Sequence, residues 1–198
     1  MRVSRKEMDK SHQRIVEGAS RLLRARGIER TGVVEAMAEA GLKHGGFYRH
    51  FDSKDALVDA ALQSAFDEVV SGIENRFSQA DGETAGAKAI EDHRAHYLSQ
   101  PHRDHPERGC PIAALGNDVA RAPEPLKKSF GTGVRRVIEA LAAGMEGTEE
   151  QRQTAAAREL ALLAGAVMIA RASDPETAQL VLSACRRYPL RVSDSPIQ

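Results

Sequence analysis

The sequence predicts an all-α protein: a small N-terminal domain of three helices with a larger C-terminal helical bundle behind it. Two observations predict this class. Ala, Leu, Arg and Glu, all good helix formers, dominate the 198 residues, and the alternation of β-branched residues that marks strands is absent. Residues that start and stop helices also punctuate the chain at helical intervals.

Ile15, Ala19, Leu22 and Leu23 share one face of a first helix. Gly27 stops it, after Arg24 and Arg26 in the last turn. Thr31 is the expected N-cap of a short second helix through Ala40, which Gly41 ends. A third short segment, Lys43 to His50, leads to Phe51. Asp52 and Ser53 then offer caps for a long fourth helix with the stripe Leu62, Phe66, Val69, Ile73 and Phe77. Residues 80–83 read as a break. A polar fifth helix, about 84–99, carries His93 and His96, and residues 100–109 read as a charged, flexible loop with two prolines. Cys110-Pro111 opens a sixth helix, because proline suits a first turn. Pro123 and Pro125 open a seventh, to about Ala143. Thr148 to Arg171 is an eighth, and Asp174-Pro175 starts a ninth ending near Tyr188, followed by a frayed tail. The expected domains are residues 8–68 and 69–190.

Composition narrows the function. The 28 Lys/Arg balance the 28 Asp/Glu, but residues 1–60 hold 12 basic against 9 acidic side chains, so the front end is basic. That is the sign a phosphate backbone requires. No apolar run reaches the roughly 20 residues of a membrane span, no signal peptide is read, and two cysteines make no disulfide framework, so a cytoplasmic location is expected. No Gly-rich phosphate loop, nucleophile elbow or HExxH is present, which argues against an enzyme. No cofactor is expected.

A short helix, a turn at Gly41 and a second short segment make a helix-turn-helix over about residues 32–51, with Val34, Met37, Ala38 and Leu42 as the expected buried seam. In that motif the second helix enters the major groove. Lys43 and His44 are the candidates for base-edge contact, and Gly45 and Gly46 allow close approach while weakening the helix. Tyr48 and His50 offer donors to phosphate, and Lys54 stands at a helix N-terminus. Phe47 suits either a thymine methyl or the core, and Phe51 suits the core.

The run from Gly41 to Leu57, with Phe47, Tyr48, His50, Phe51, Ser53, Lys54, Asp55 and Leu57 in order, closely resembles the signature of the TetR family, AcrR-like members included. The resemblance covers about residues 8–70, and Gly109-Cys110-Pro111 resembles the helix start of one subgroup. It departs at Lys43, where the family often has Ser or Thr. The resemblance implies a sequence-specific DNA-binding regulator, expected to be a repressor with Thr31 to Lys54 at the operator. It also implies an effector pocket within residues 84–171 and a homodimer through the last two helices. In the eighth helix Leu160, Leu163, Ala164, Val167 and Met168 form the apolar stripe, and Ala161, Gly165 and Ala172 permit close helix approach. The expected signal is a small molecule or a thiol-reactive compound.

Cys110, at a helix start with Arg108 nearby, is the candidate sensor, expected to be accessible, while Cys185 is expected to be buried. The competing reading is an inert core cysteine. His93, His96, His102 and His105 raise a metal site, against the commoner reading of pocket or surface histidines. A helical interaction protein that binds no operator is the alternative to the whole reading.

Overall fold

Several helices start or stop where a side chain or a glycine closes the open backbone groups. The structure, a computed structural model, describes residues 5–80 and 85–187. Helix α1 (Arg5–Arg26) ends at Gly27, whose φ of 86° only glycine adopts without strain. Helix α2 (Val33–Glu39) ends in the same way before Gly41, φ 68°. A 3-10 segment, His44–Arg49, follows, and then α3 (Lys54–Ser78), where Ser53 Oγ accepts the Ala56 amide at 3.1 Å. The chain continues through α4 (Ala85–Tyr97), α5 (Gln100–Asp104), a 3-10 turn at Pro106–Arg108 and α6 (Pro111–Ala120). It closes with α7 (Glu124–Ala142), α8 (Glu149–Ala172) and α9 (Pro175–Arg186). Thr148 caps α8 and Asp174 caps α9, each accepting main-chain amides. The expected end near Tyr188, the frayed tail and residues 81–83 of the expected break lie outside the described residues.

Three local expectations are corrected. The N-cap of α2 is Gly32, not Thr31: the Thr31 hydroxyl turns back to donate to the Gly27 carbonyl at 2.8 Å, closing the turn after α1 instead. The buried seam of α2 is Ala36, Met37 and Ala40, while Val34 is 61% exposed and Ala38 also faces outward. The expected flexible loop at residues 100–109 instead holds a short helix, Gln100–Asp104, and a 3-10 turn, Pro106–Arg108. Ser99 Oγ accepts the His102 amide at 3.3 Å. Arg171 donates to the carbonyls of His102 and Arg103 at 2.8 and 3.0 Å, satisfying the end of α5 from a residue far along the chain.

The chain forms two compact units, one of Met1–Val69 with His105–Val134 and one of Val70–Asp104 with Arg135–Gln198. In the first, Ile15, Leu23, Met37, Phe47, Leu62, Phe66 and Leu115 are fully buried. Arg24 is buried as well. It donates to the Gly109 carbonyl at 3.0 Å and pairs with Glu68 at 2.8 Å. Asp118 on α6 accepts the Ile28 amide at 2.8 Å, so the turn after α1 is held by a side chain 90 positions away.

In the second unit Ile73, Ile90, Leu98, Leu141, Leu163 and Val167 form the core. It also encloses ionisable groups. Arg94 and Glu159 form a two-pronged pair at 2.7 and 2.8 Å, with 8% and 0% of their side chains exposed. His93 is 4% exposed, and neither of its ring nitrogens meets a hydrogen-bond partner. Burial first, then the charge of Arg76, push its pKa down to about 3. His102 falls to about 4 through burial and Arg171.

Candidate DNA-binding surface

The 3-10 segment His44–Arg49 turns one of its two aromatics inward and leaves the other outward. Phe47 points inward, 1% exposed, stacking on Phe51 at 5.7 Å and 25°. Of the two readings of Phe47, this burial favours the core. Lys43, His44, Gly45, Tyr48 and Arg49 face outward, with Tyr48 76% exposed. A large aromatic carrying a hydroxyl, held out of the core between buried Phe47 and basic Arg49, is placed to donate to an anion.

The other expected residues divide. His50 and Gly46 are half-buried. Burial, then the nearby His12 and Arg49, hold the His50 pKa below the usual histidine value. Lys54 is half-buried, and its ammonium donates to the Ile28 carbonyl at 3.3 Å, leaving two of its three N–H groups for other acceptors. Thr31 is 4% exposed and committed to Gly27, so the structure removes it from the outward surface. Arg49 was not singled out from the sequence. The cue was there, since it stands between Tyr48 and His50. Behind the surface, Arg14 donates to the Ala40 carbonyl, and α2 is tied to α1 by Arg21–Glu39 at 3.3 Å and Arg26–Glu35 at 3.2 Å.

The segment is 3-10 where a short α-helix was the sequence expectation. Gly45 and Gly46 explain this, since each weakens an α-helix by about 1 kcal/mol relative to Ala. Neither has a positive φ. A Cβ at Gly45 would meet nothing within 4 Å, and one at Gly46 would make ordinary contact with Met37 at 3.6 Å. The pair Gly45→Ala and Gly46→Ala is therefore expected to stabilise the domain by about 1 kcal/mol, through reduced freedom of the unfolded chain and better helix propensity. Urea unfolding reads this directly. A loss of stability would mean the glycines are sterically required.

The two cysteines differ from their expected burial. Cys110 is the N-cap residue of α6, as expected, but it is only 2% exposed, so the accessible thiol is corrected. The cause is Gly109, whose carbonyl is tied to buried Arg24 and draws the start of α6 inward. Cys185 is half-buried, and burial raises its pKa, with the charge of Glu159 adding to this. His96 and His105 face solvent while His93 and His102 are buried. Among the described residues no group of three or more His, Cys, Asp or Glu is placed to hold a metal ion. No helix among them is long and apolar enough to cross a membrane.

Residues 15–61 match the sequence family described as bacterial regulatory proteins, tetR family. No curated protein matches the chain. Among solved structures, a TetR-family transcriptional regulator from Cytophaga hutchinsonii superposes with a TM-score of 0.73 at 18% identity, covering 94% of this chain and 95% of that one. Reduced E. coli NemR gives 0.69 at 21% identity, over 88% and 95%. FadR from Bacillus subtilis, solved with stearoyl-CoA, gives 0.64 at 13% identity, over 88% and 97%. The matched stretch runs from the first buried residue of α1, Ile15, into α3, and so contains the whole surface described above. The chain therefore carries a TetR-family helix-turn-helix domain at residues 15–61, on an all-α fold shared with TetR-family transcriptional regulators.

Proposed function

We propose that this protein is a sequence-specific DNA-binding transcriptional regulator that acts as a homodimeric repressor and is released from its operator by a small molecule. The observation that carries the reading is the outward row Lys43, His44, Tyr48 and Arg49, backed by the buried Phe47–Phe51 stack. In the division of labour we assign, Lys43 and His44 reach base edges, and Tyr48, Arg49, His50 and Lys54 hold phosphates. Residues 8–68 form the DNA-binding domain, and residues 69–190 the effector and dimerisation domain. Within the family we place the chain with the AcrR-like members and their Gly-Cys-Pro segment, on the strength of Gly109, Cys110 and Pro111 opening α6.

A gel shift against the intergenic DNA upstream of the protein's own gene tests the reading. Binding to one specific fragment is expected. Lys43→Ala should alter base preference, whereas Tyr48→Phe should weaken all sequences alike. An unaltered preference in the Lys43 variant would sink the base-contact assignment, and no shift with any fragment would favour the non-DNA-binding helical protein.

For the dimer we assign the outer face of α8 and α9. Ile169 and Leu180 are 50% and 66% exposed, Ala161 faces outward, and a Cβ on Gly165 would meet nothing within 4 Å. Exposed large apolar side chains beside small residues suit a self-complementary helix pair. Ile169→Asp with Gly165→Leu should halve the sedimenting mass without unfolding the chain. A dimer that survives this moves the interface elsewhere.

For the effector, a groove of about 590 Å³ in the second unit, lined by Leu98, Leu182, Arg103 and Arg186 among others, joins apolar walls to two guanidinium groups. That lining favours an anionic molecule with an apolar body. FadR, with the same fold, was solved with stearoyl-CoA. Burial of Cys110 favours such a ligand over a thiol-reactive signal, because a reagent needs an accessible thiolate.

A further inference from the structure

We propose that His12 and His50 form a proton-binding pair at the edge of the DNA-binding surface, so that each protomer takes up a proton when it closes on DNA phosphates. The inference rests on the DNA-binding reading and adds a residue outside the matched family segment. His12, on α1, lies before residue 15. Its ring stacks on Phe51 at 4.6 Å and 23°, and Phe51 stacks on Phe47, so the imidazole is seated on the aromatic base that supports the outward row. The His50 ring lies 6.0 Å away, and both histidines are half-buried.

Two imidazolium charges this close oppose one another, and Arg49, next in the chain to His50, opposes them both. Burial and these neighbours hold His50 below its ordinary value in the free protein. The other charged residues near the pair in sequence are Asp9, Lys10, Arg14 and Glu17 on α1, Lys43 before the 3-10 segment, and Asp52, Lys54 and Asp55 around the start of α3; Arg14 donates to the Ala40 carbonyl. Lys54 is drawn away to the Ile28 carbonyl. The local balance therefore leaves His50 short of protons near neutral pH.

A phosphate backbone reverses that balance. Its negative charge favours the imidazolium. Protonation also turns a ring with one N–H donor and one acceptor into a ring with two donors, which suits phosphate oxygens. The complex then holds more protons than the free protein, so affinity must rise as pH falls, by linkage. No other side chain titrates in this range unperturbed. His105, which faces solvent in another part of the chain and has no part in the DNA contacts assigned above, is the internal control.

The test uses the full-length protein and a fluorescein-labelled DNA duplex long enough for two half-sites, at low salt. Affinity is expected to rise about tenfold per protomer between pH 8 and pH 6. Calorimetry in phosphate and in Tris, whose ionisation heats differ, should count uptake of about one proton per protomer in the unaltered protein. His12→Gln and His50→Gln should each remove most of that uptake, and His105→Gln should keep it. Equal affinity at both pH values with no buffer-dependent heat overturns the proposal. So does an uptake that persists in both His12→Gln and His50→Gln. Failure to bind any duplex at either pH would instead remove the DNA-binding reading and this proposal with it, a result distinct from pH-independent binding.

Discussion

Glu159→Ala is expected to destabilise the protein by about 3–5 kcal/mol, because it leaves the Arg94 guanidinium buried without its carboxylate. Glu159 is fully buried, and both prongs of the pair are shorter than 3 Å. Little of the loss is the net worth of the ion pair, since taking two charges out of water nearly cancels their attraction. It is the cost of one uncompensated charge. The double variant Arg94→Met with Glu159→Leu should therefore recover most of the stability. Urea unfolding of the two variants decides between this account and a pair that is strongly stabilising in itself. In the latter case the double variant would be as unstable as the single one.

Acidification from pH 8 to pH 5 is expected to cost roughly 4 kcal/mol, about 2 kcal/mol from each of His93 and His102. At pH 8 both are neutral, folded or unfolded. Below the ordinary histidine value of about 6.5, the unfolded chain binds protons that the fold refuses. The refusal lasts until pH falls to about 4 at His102 and about 3 at His93. A lowered folded pKa thus means stability that declines with acid across this window. His93→Leu should remove about half the decline and change little at pH 8, because its ring nitrogens meet no partner that the leucine would forfeit. Urea midpoints at pH 8 and pH 5 measure both effects. A His93→Leu protein as acid-sensitive as the parent would move the effect to other groups. DNA measurements for the His12–His50 pair belong above pH 6, clear of most of this decline.

The two largest effects arise from residues the sequence marked ambiguously, His93 and His102, or not at all, Arg94 and Glu159. His93 and His96 stand three apart on one helix and read alike, yet one is in the core and the other faces solvent. Glu159 and Arg94 are two charged residues among 56. Nothing in their immediate neighbours marks them as partners across 65 positions.

What the sequence determined by itself was local. Gly27 and Gly41 end helices because a positive φ is a property of one residue and its two peptide groups. Thr148, Asp174 and Ser53 start helices because a cap reaches only two or three residues ahead. Pro111 at the first turn of α6 and the aromatic run from Phe47 to Phe51 follow the same logic. What only the tertiary structure decided was burial, and with it the state of each reactive or charged group. Thr31 gave up its cap to close a turn, and Cys110 sank because Arg24, distant in sequence, holds the Gly109 carbonyl. The end of helix Gln100–Asp104 is closed by Arg171, 68 and 69 positions along the chain. Burial is a sum over neighbours brought by other elements, so no window of sequence contains it. The exposure of Cys110, the pKa of His93 and the inward turn of Phe47 are all set by that sum.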